Sequence, residues 1–313
     1  MDAEPVRIPT IRKRTSWVAC ALLALAGSLS AETPGTSVFL AGRTVEYVPG
    51  TLPLIVAAPH GGRLEPSDIP DRKEGVLVRD AETDLLALAL AEAIYRRAGA
   101  RPHLVLCHLK RNKVDCNRDA LVGTGGNAKA LATWSAFHEA IERAREAAGS
   151  GLFLDLHGHS HEIARVEFGY LLSAEQLQKT GAAFEALAAS SSLANLAGRA
   201  GSSFENLLRG RESLGGLLES SGYDAVPSPK TLHPGDEPYF RGGYNTARYR
   251  TGGVADGFFS LQVECPRPGV RDTPGNRRRF AEALAEAIDL WLEKQAGIRL
   301  REEGRGMRKG GSE

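Results

Sequence analysis

Gly151-Leu152-Phe153-Leu154-Asp155-Leu156-His157-Gly158-His159-Ser160-His161 is the stretch from which this chain is best read. Its apolar start, set off by Gly149-Ser150, has the composition of a strand buried on both faces. The strand runs into Asp155 and His157, alternate positions that share one face. A carboxylate and an imidazole at the end of a buried strand are costly unless they are paired or bind a metal. Two other segments end in the same way. Leu54-Ile55-Val56-Ala57-Ala58 leads into Pro59-His60-Gly61-Gly62-Arg63-Leu64-Glu65, and Phe258-Phe259-Ser260-Leu261-Gln262-Val263 leads into Glu264-Cys265-Pro266.

Outward from these runs the elements alternate. Ser37 to Val48 reads as an edge strand or hairpin, and Leu52 to Ala58 as the first buried strand. Pro66, Pro70 and Gly75 exclude a continuous helix between Gly61 and Arg79. Asp84 to Arg97 has helical spacing, with Asp80 or Thr83 as its cap. Pro102 to Leu109 reads as a strand, Ala128 to Ala148 as a helix stopped by glycine, and Val166 to Ser173 as a further strand. Helices follow around Ala174 to Ala189 and Phe204 to Leu208. Gly222 to Gly257 is a long irregular stretch of the kind that carries function or is disordered. Asn276 to Gln295 closes the chain as an amphipathic helix. Strand and helix in this alternation predict an α/β fold with a mixed, mostly parallel sheet flanked by helices. It occupies residues 37–296 as one catalytic domain, with a disordered tail over 297–313.

The chain has 313 residues, 42% of them hydrophobic, enough for a sizeable core. A formal net charge of +1 supplies no broad basic field, which argues against a nucleic-acid partner. Residues 1–31 carry an export pattern: Arg7, Arg12, Lys13 and Arg14, then an apolar run from Trp17 to Ala26, then small residues up to Ala31. That run is short for a membrane span, so the expectation is a secreted or periplasmic protein with no stable span after cleavage. Cys107, Cys116 and Cys265 remain in the mature chain and lack the spacing of a thiolate zinc site. They read as buried small hydrophobes, with a Cys107–Cys116 bridge as the alternative.

Catalytic zinc takes three protein ligands and leaves a fourth position for water. His60 and Glu65 from one strand-to-loop turn, with His157 from another strand, form such a set. The five-residue gap between His60 and Glu65 excludes one helix face, and the loop through Gly61-Gly62 is what would bring them together. His159 and His161 compete with His157, which is favoured because it comes first after the apolar strand; Asp155 would either hold a ligand imidazole from behind or pair with loop amides at the strand end. Glu264 is either the general base or the partner of Arg267 or Arg271. Asn117 and Arg118 read as a clamp for a carboxylate, against a plain salt bridge from Arg118 to Asp115 or Asp119. Tyr244, or an arginine at 241, 248 or 250, would stabilise an oxyanion or close over the substrate.

Taken together, Pro59-His60-Gly61-Gly62, Ile69-Pro70-Asp71-Arg72, Asp80 with Thr83, Lys113 to Arg118, Asp155 to His159 and Gln262-Val263-Glu264 resemble the N-formylglutamate amidohydrolase family, itself related to zinc carboxypeptidases. The resemblance covers about residues 50 to 295, with the motifs in matching order. It implies a phosphorylase/hydrolase-like α/β fold and one zinc per chain. His60, Glu65 and His157 would be its ligands, Glu264 the base that also passes the proton to the leaving nitrogen, and Asn117 with Arg118 the anchor of a substrate carboxylate. Cys116 and the stretch Tyr239 to Tyr244 depart from the family pattern and indicate a divergent, exported branch. The activity so implied is amide hydrolysis of an N-acyl amino acid or small peptide with a free carboxylate. An exported metallopeptidase, a poly-γ-glutamate or cell-wall amidase, and a non-catalytic carboxylate-binding protein are the alternatives.

Overall fold

The computed structural model describes residues 32–197, 203–250 and 257–301. The expected export segment and residues 302–313 of the expected tail lie outside them. Among the described residues no helix is long and apolar enough to cross a membrane.

The first strands are β1 (Val38–Leu40) and β2 (Val45–Val48), the expected hairpin, followed by β3 (Leu54–Ala58). Helix α1 (Thr83–Ala98) follows, then β4 (His103–Cys107), the short α2 (Ala120–Thr124) and α3 (Ala128–Ala148). Asn127 starts α3 where the sequence predicts, its side chain accepting from the N–H groups of Lys129 and Ala130. Strand β5 (Gly151–His159) runs through the diagnostic stretch, and β6 is Val166–Gly169. It is shorter than the expected Val166–Ser173, because Leu171 adopts a left-handed backbone that ends the ladder.

Helical pieces come next: α4 (Ala174–Leu177), α5 (Gly181–Glu185), α6 (Phe204–Arg209) and α7 (Leu214–Ser220). Strand β7 (Ala225–Val226), α8 (Tyr244–Tyr249), β8 (Phe258–Pro266) and α9 (Pro274–Trp291) complete the chain.

The sheet order is β1-β2-β4-β3-β5-β8-β6-β7. Strands β4, β3, β5 and β8 are parallel; β2 joins β4 and β6 joins β8 in antiparallel fashion. The central strands are buried on both faces, as their unbroken apolar composition requires. Leu54, Val56 and Ala58 pack with Leu86 and Leu90 of α1 and Leu284 and Ile288 of α9. On the opposite face Ile55 and Ala57 pack with Phe137 and Ile141 of α3. The chain leaves β3 through α1 to reach β4 on one side, then returns through α3 to β5 on the other. The connections therefore diverge between β3 and β5, and the crevice at their carboxyl ends is where such sheets bind ligands.

Candidate metal centre and its cleft

Two residues beyond β3 stands His60, and near the end of β5 stands His157, one on each side of that crevice. Gly61 and Gly62 let the chain turn tightly here. A Cβ on Gly62 would lie 2.3 Å from the backbone carbon of His108, and one on Gly61 2.4 Å from the backbone nitrogen of Asp84. The loop then runs out beside β4, where Leu64 bridges Leu109, and comes back so that the Asp80 N–H donates to the His60 carbonyl at 3.0 Å. That return bond delivers the Asp80 side chain to the two histidines.

His60 Nδ1 and His157 Nδ1 are 3.2 Å apart, and Asp80 Oδ2 lies 3.1 Å from His157 Nδ1 and 3.4 Å from His60 Nδ1. The far nitrogens are both committed. His60 Nε2 donates to Asp115 Oδ1 at 2.7 Å, and His157 Nε2 donates to Asp155 Oδ2 at 2.8 Å. With their protons on Nε2, both imidazoles turn bare Nδ1 lone pairs toward Asp80. Three acceptor atoms then converge, an arrangement that repels unless a cation joins them. Ligands about 2.0–2.1 Å from a tetrahedral zinc are about 3.3 Å from one another, the spacing found here. The carboxylate behind each imidazole is the usual support of a metal-binding histidine. His60, Asp80 and His157 are all buried and fit a divalent metal.

Electrostatics favour positive charge at this point, whether carried by a proton or by a metal ion. Burial opposes charge on His157, yet Asp155, Asp80 and Glu264 together raise its pKa well above the ordinary imidazole value. Burial would likewise raise Asp80, but the two histidines hold it well below the usual carboxylate range. Asp115 is lowered against its own burial, chiefly by His60 and then Arg111. Arg111 links the carboxylates: Nη1 donates to Asp80 Oδ1 at 3.1 Å and Nε to Asp115 Oδ2 at 3.2 Å.

Glu264 is paired with His157 across β5 and β8 and is buried. Its Oε1 accepts from Gln262 Nε2 at 2.8 Å, while Oε2 is buried with no hydrogen-bond partner. Burial pushes its pKa up to about 8, opposed by His157 and reinforced by Asp80 and Glu167. An orphaned carboxylate oxygen beside a candidate metal centre has the makings of a proton acceptor. Arg267 and Arg271, its expected structural partners, bind elsewhere: Arg271 Nε donates to the Cys265 carbonyl and Arg267 Nε to Glu82.

A cleft of about 390 Å³ opens over Asp80, His157 and Glu264. Arg118 lines it as an exposed side chain with no ion-pair partner among the described residues. Asn117 also lines it, but its amide is occupied. Its Oδ1 accepts the Asn245 N–H at 2.8 Å, and Nδ2 donates to Gln262 Oε1 at 3.5 Å. The expected two-residue clamp is thus divided into a buried prop and a free arginine.

Two other expected residues lie elsewhere. Glu65 is exposed, bound to Lys110 and to Asn112 Nδ2 at 3.1 Å, because the Leu64–Leu109 bridge carries it to the edge of β4. The structure does not bring it to His60 and His157; Asp80 takes that place. Tyr244 heads α8 outside the cleft lining, its hydroxyl accepting from Arg248 Nη1 at 3.0 Å. Of the alternatives, Arg241 is exposed and Arg250 donates to the Ser190 carbonyl; neither they nor Arg248 line the cleft, whose arginines are 79, 111 and 118. Cys107, Cys116 and Cys265 are free, buried thiols.

No family profile matches the chain, and no curated protein matches its sequence. Among solved structures it is similar to N-formylglutamate amidohydrolase from Ralstonia eutropha JMP134, the family its motifs resemble. That match has 15% identity and a TM-score of 0.48, over 82% of this chain and 99% of the other. A gene product from Agrobacterium tumefaciens matches at 14% identity and a TM-score of 0.48, over 81% of this chain and 96% of that one. Succinylglutamate desuccinylase from Chromobacterium violaceum matches at 13% identity and a TM-score of 0.35, over 83% and 74%.

Proposed function

We propose that this protein is a zinc-dependent amidohydrolase that cleaves the amide bond of an N-acyl amino acid or small peptide bearing a free carboxylate. The observation that carries this reading is the convergence of His60 Nδ1, Asp80 Oδ2 and His157 Nδ1 within 3.4 Å of one another, beside the unpartnered Oε2 of Glu264. His60, Asp80 and His157 would hold a zinc ion, which would supply a Lewis acid for the scissile carbonyl and for water. Asp115 and Asp155 keep the two imidazoles in the tautomer that presents Nδ1.

Glu264 handles the proton. Burial raises the Glu264 pKa, a cation beside it would draw it back down toward the range of a neutral-pH proton acceptor, and Oε2 is placed to take the proton. Gln262 fixes the other oxygen and so aims the first. Arg118 meets a substrate carboxylate at the cleft, which places the amide over the reacting groups. Export of the chain, on the pattern of residues 1–31, puts this chemistry outside the cytoplasm.

The test pairs metal content with turnover. Purified wild type should hold one zinc per chain and hydrolyse members of a panel of N-acyl amino acids and short peptides. Glu264→Gln should keep the zinc and lose turnover by a factor of about 100 or more. Absence of metal after zinc is supplied, or full activity in the Gln variant, contradicts the reading.

A further inference from the structure

The same cleft holds a titratable pair that the proposed reaction leaves unused. Strand β6 lies antiparallel to β8 with Glu167 opposite Glu264, and Glu264 is in turn paired with His157 on β5. His157, Glu264 and Glu167 therefore form one row across the sheet, with Glu167 two strand spacings, about 10 Å, from His157. Glu167 is wholly buried. Its Oε2 accepts the Phe240 N–H at 2.9 Å, and its Oε1 faces His161 Nδ1 at 2.9 Å.

His161 is held on several sides. Its ring stacks on Phe240 with centroids 4.8 Å apart and planes 20° from parallel. Its backbone N–H donates to His159 Nδ1 at 3.1 Å. With Nδ1 on Glu167, Nε2 is the ring nitrogen left for the cleft, which His161 lines. His159 is differently placed: Nε2 donates to the Arg165 carbonyl at 2.8 Å and Nδ1 accepts from His161, so both nitrogens are used. The trio His159, His161 and Glu167 is for that reason not a second metal centre.

A carboxylate as buried as Glu167 is costly without a positive partner. The imidazole is the side chain in contact with it that can supply that charge. With Nδ1–H given to Glu167, Nε2 points its lone pair or its proton at the cleft, and a proton brought by an acidic ligand would make Nε2–H a donor to that ligand's carboxylate. We propose that His161, backed by Glu167, is a substrate-recognition residue that receives a carboxylate of the substrate through Nε2–H, together with Arg118. The inference rests on the hydrolase reading only for the statement that this carboxylate belongs to the substrate. It selects acids over their neutral analogues, and acids whose carboxylate lies several ångströms from the scissile amide.

Calorimetric titration of the full chain with glutarate, a plain dicarboxylate, and with its neutral diamide, glutaramide, tests this. A chelator strips the protein first, so that carboxylate binding to a metal does not contribute. Wild type should prefer glutarate. His161→Ala and Glu167→Gln should each weaken glutarate binding about tenfold or more, as loss of a charge-assisted hydrogen bond requires, and leave glutaramide unchanged. Thermal melting confirms that each variant is folded; if Glu167→Gln is not, His161→Ala alone decides. Wild-type affinity for glutarate in His161→Ala, an equal loss for the diamide, or no preference in wild type overturns the proposal. Neither zinc nor turnover enters this titration, so its failure leaves the hydrolase reading standing, and an inactive zinc-loaded protein leaves this result standing.

Discussion

Replacing Asp80 by alanine removes one of the three converging atoms, and Glu65→Ala is its natural control. Asp80 Oδ2 sits 3.1 Å from His157 Nδ1, 3.4 Å from His60 Nδ1 and 3.3 Å from the Gly158 N–H. Structural zinc held by four protein ligands binds with about 10–16 kcal/mol, so one ligand contributes roughly 3 kcal/mol, or about a hundredfold in Kd. Arg111 keeps a partner in Asp115 when Asp80 is gone, so the fold should survive the change. Glu65, exposed and held by Lys110 and Asn112, should have no influence on metal. Competition of each variant against a chromophoric chelator gives the zinc Kd directly, with melting curves to confirm folding. Zinc binding of wild-type strength in Asp80→Ala, coupled with its loss in Glu65→Ala, would refute the geometric argument and restore the set read from the sequence.

Other outcomes follow from the supporting groups. Arg111→Ala frees the second oxygens of Asp80 and Asp115, and should weaken zinc about 10- to 100-fold while leaving both histidines in place. Stability should also depend on pH through His103, on β4 and away from the candidate metal centre. Burial lowers its pKa to about 4, and Nδ1 is taken by the Tyr47 hydroxyl at 3.0 Å and the Gly50 N–H at 3.2 Å. Its folded pKa lies below the unfolded value of 6.5, so the unfolded chain binds the extra proton between those limits. This contribution is whole above pH 6.5 and is lost as pH falls toward 4, at most roughly 3 kcal/mol. Urea unfolding of wild type and His103→Gln across that range should show a shallower pH slope in the variant; parallel slopes would remove His103 as the cause.

The parts of the fold that were legible are those where composition alone dictates burial. Uninterrupted runs such as Leu54–Ala58 and Gly151–Leu154 cannot face water, and they became the central parallel strands. His60, His157 and Glu264 were legible for the same reason, each being a polar residue at the end of such a run. Asp80 was legible as a member of the family-like motif set and as one of two candidate caps of α1, but not as a partner of the histidines; neither Asp80 nor Thr83 caps that helix, whose N-cap is Glu82. Asp80 lies twenty residues from His60 beyond a proline-broken loop, and a backbone hydrogen bond, not a periodicity, brings it back. Glu65 misled because proximity in sequence stood in for proximity in space; a bridge one residue earlier turns it outward. Asn117 shows a further limit. Residue type told that it could bind a carboxylate, but the claims on its amide by Asn245 and Gln262 come from distant parts of the chain.

The hydrogen bond from Asp80 N–H to the His60 carbonyl closes residues 60–80 into a ring whose clasp lies at the candidate metal centre. Val76, Val78 and Arg79, on the returning arm of that ring, form part of the rim of the cleft. Residues that converge on the candidate centre and residues that shape the rim of its cleft thus share one stretch of chain. Exchanges in the arm reshape the rim, while the clasp and the strands β3 and β5 hold the reacting groups.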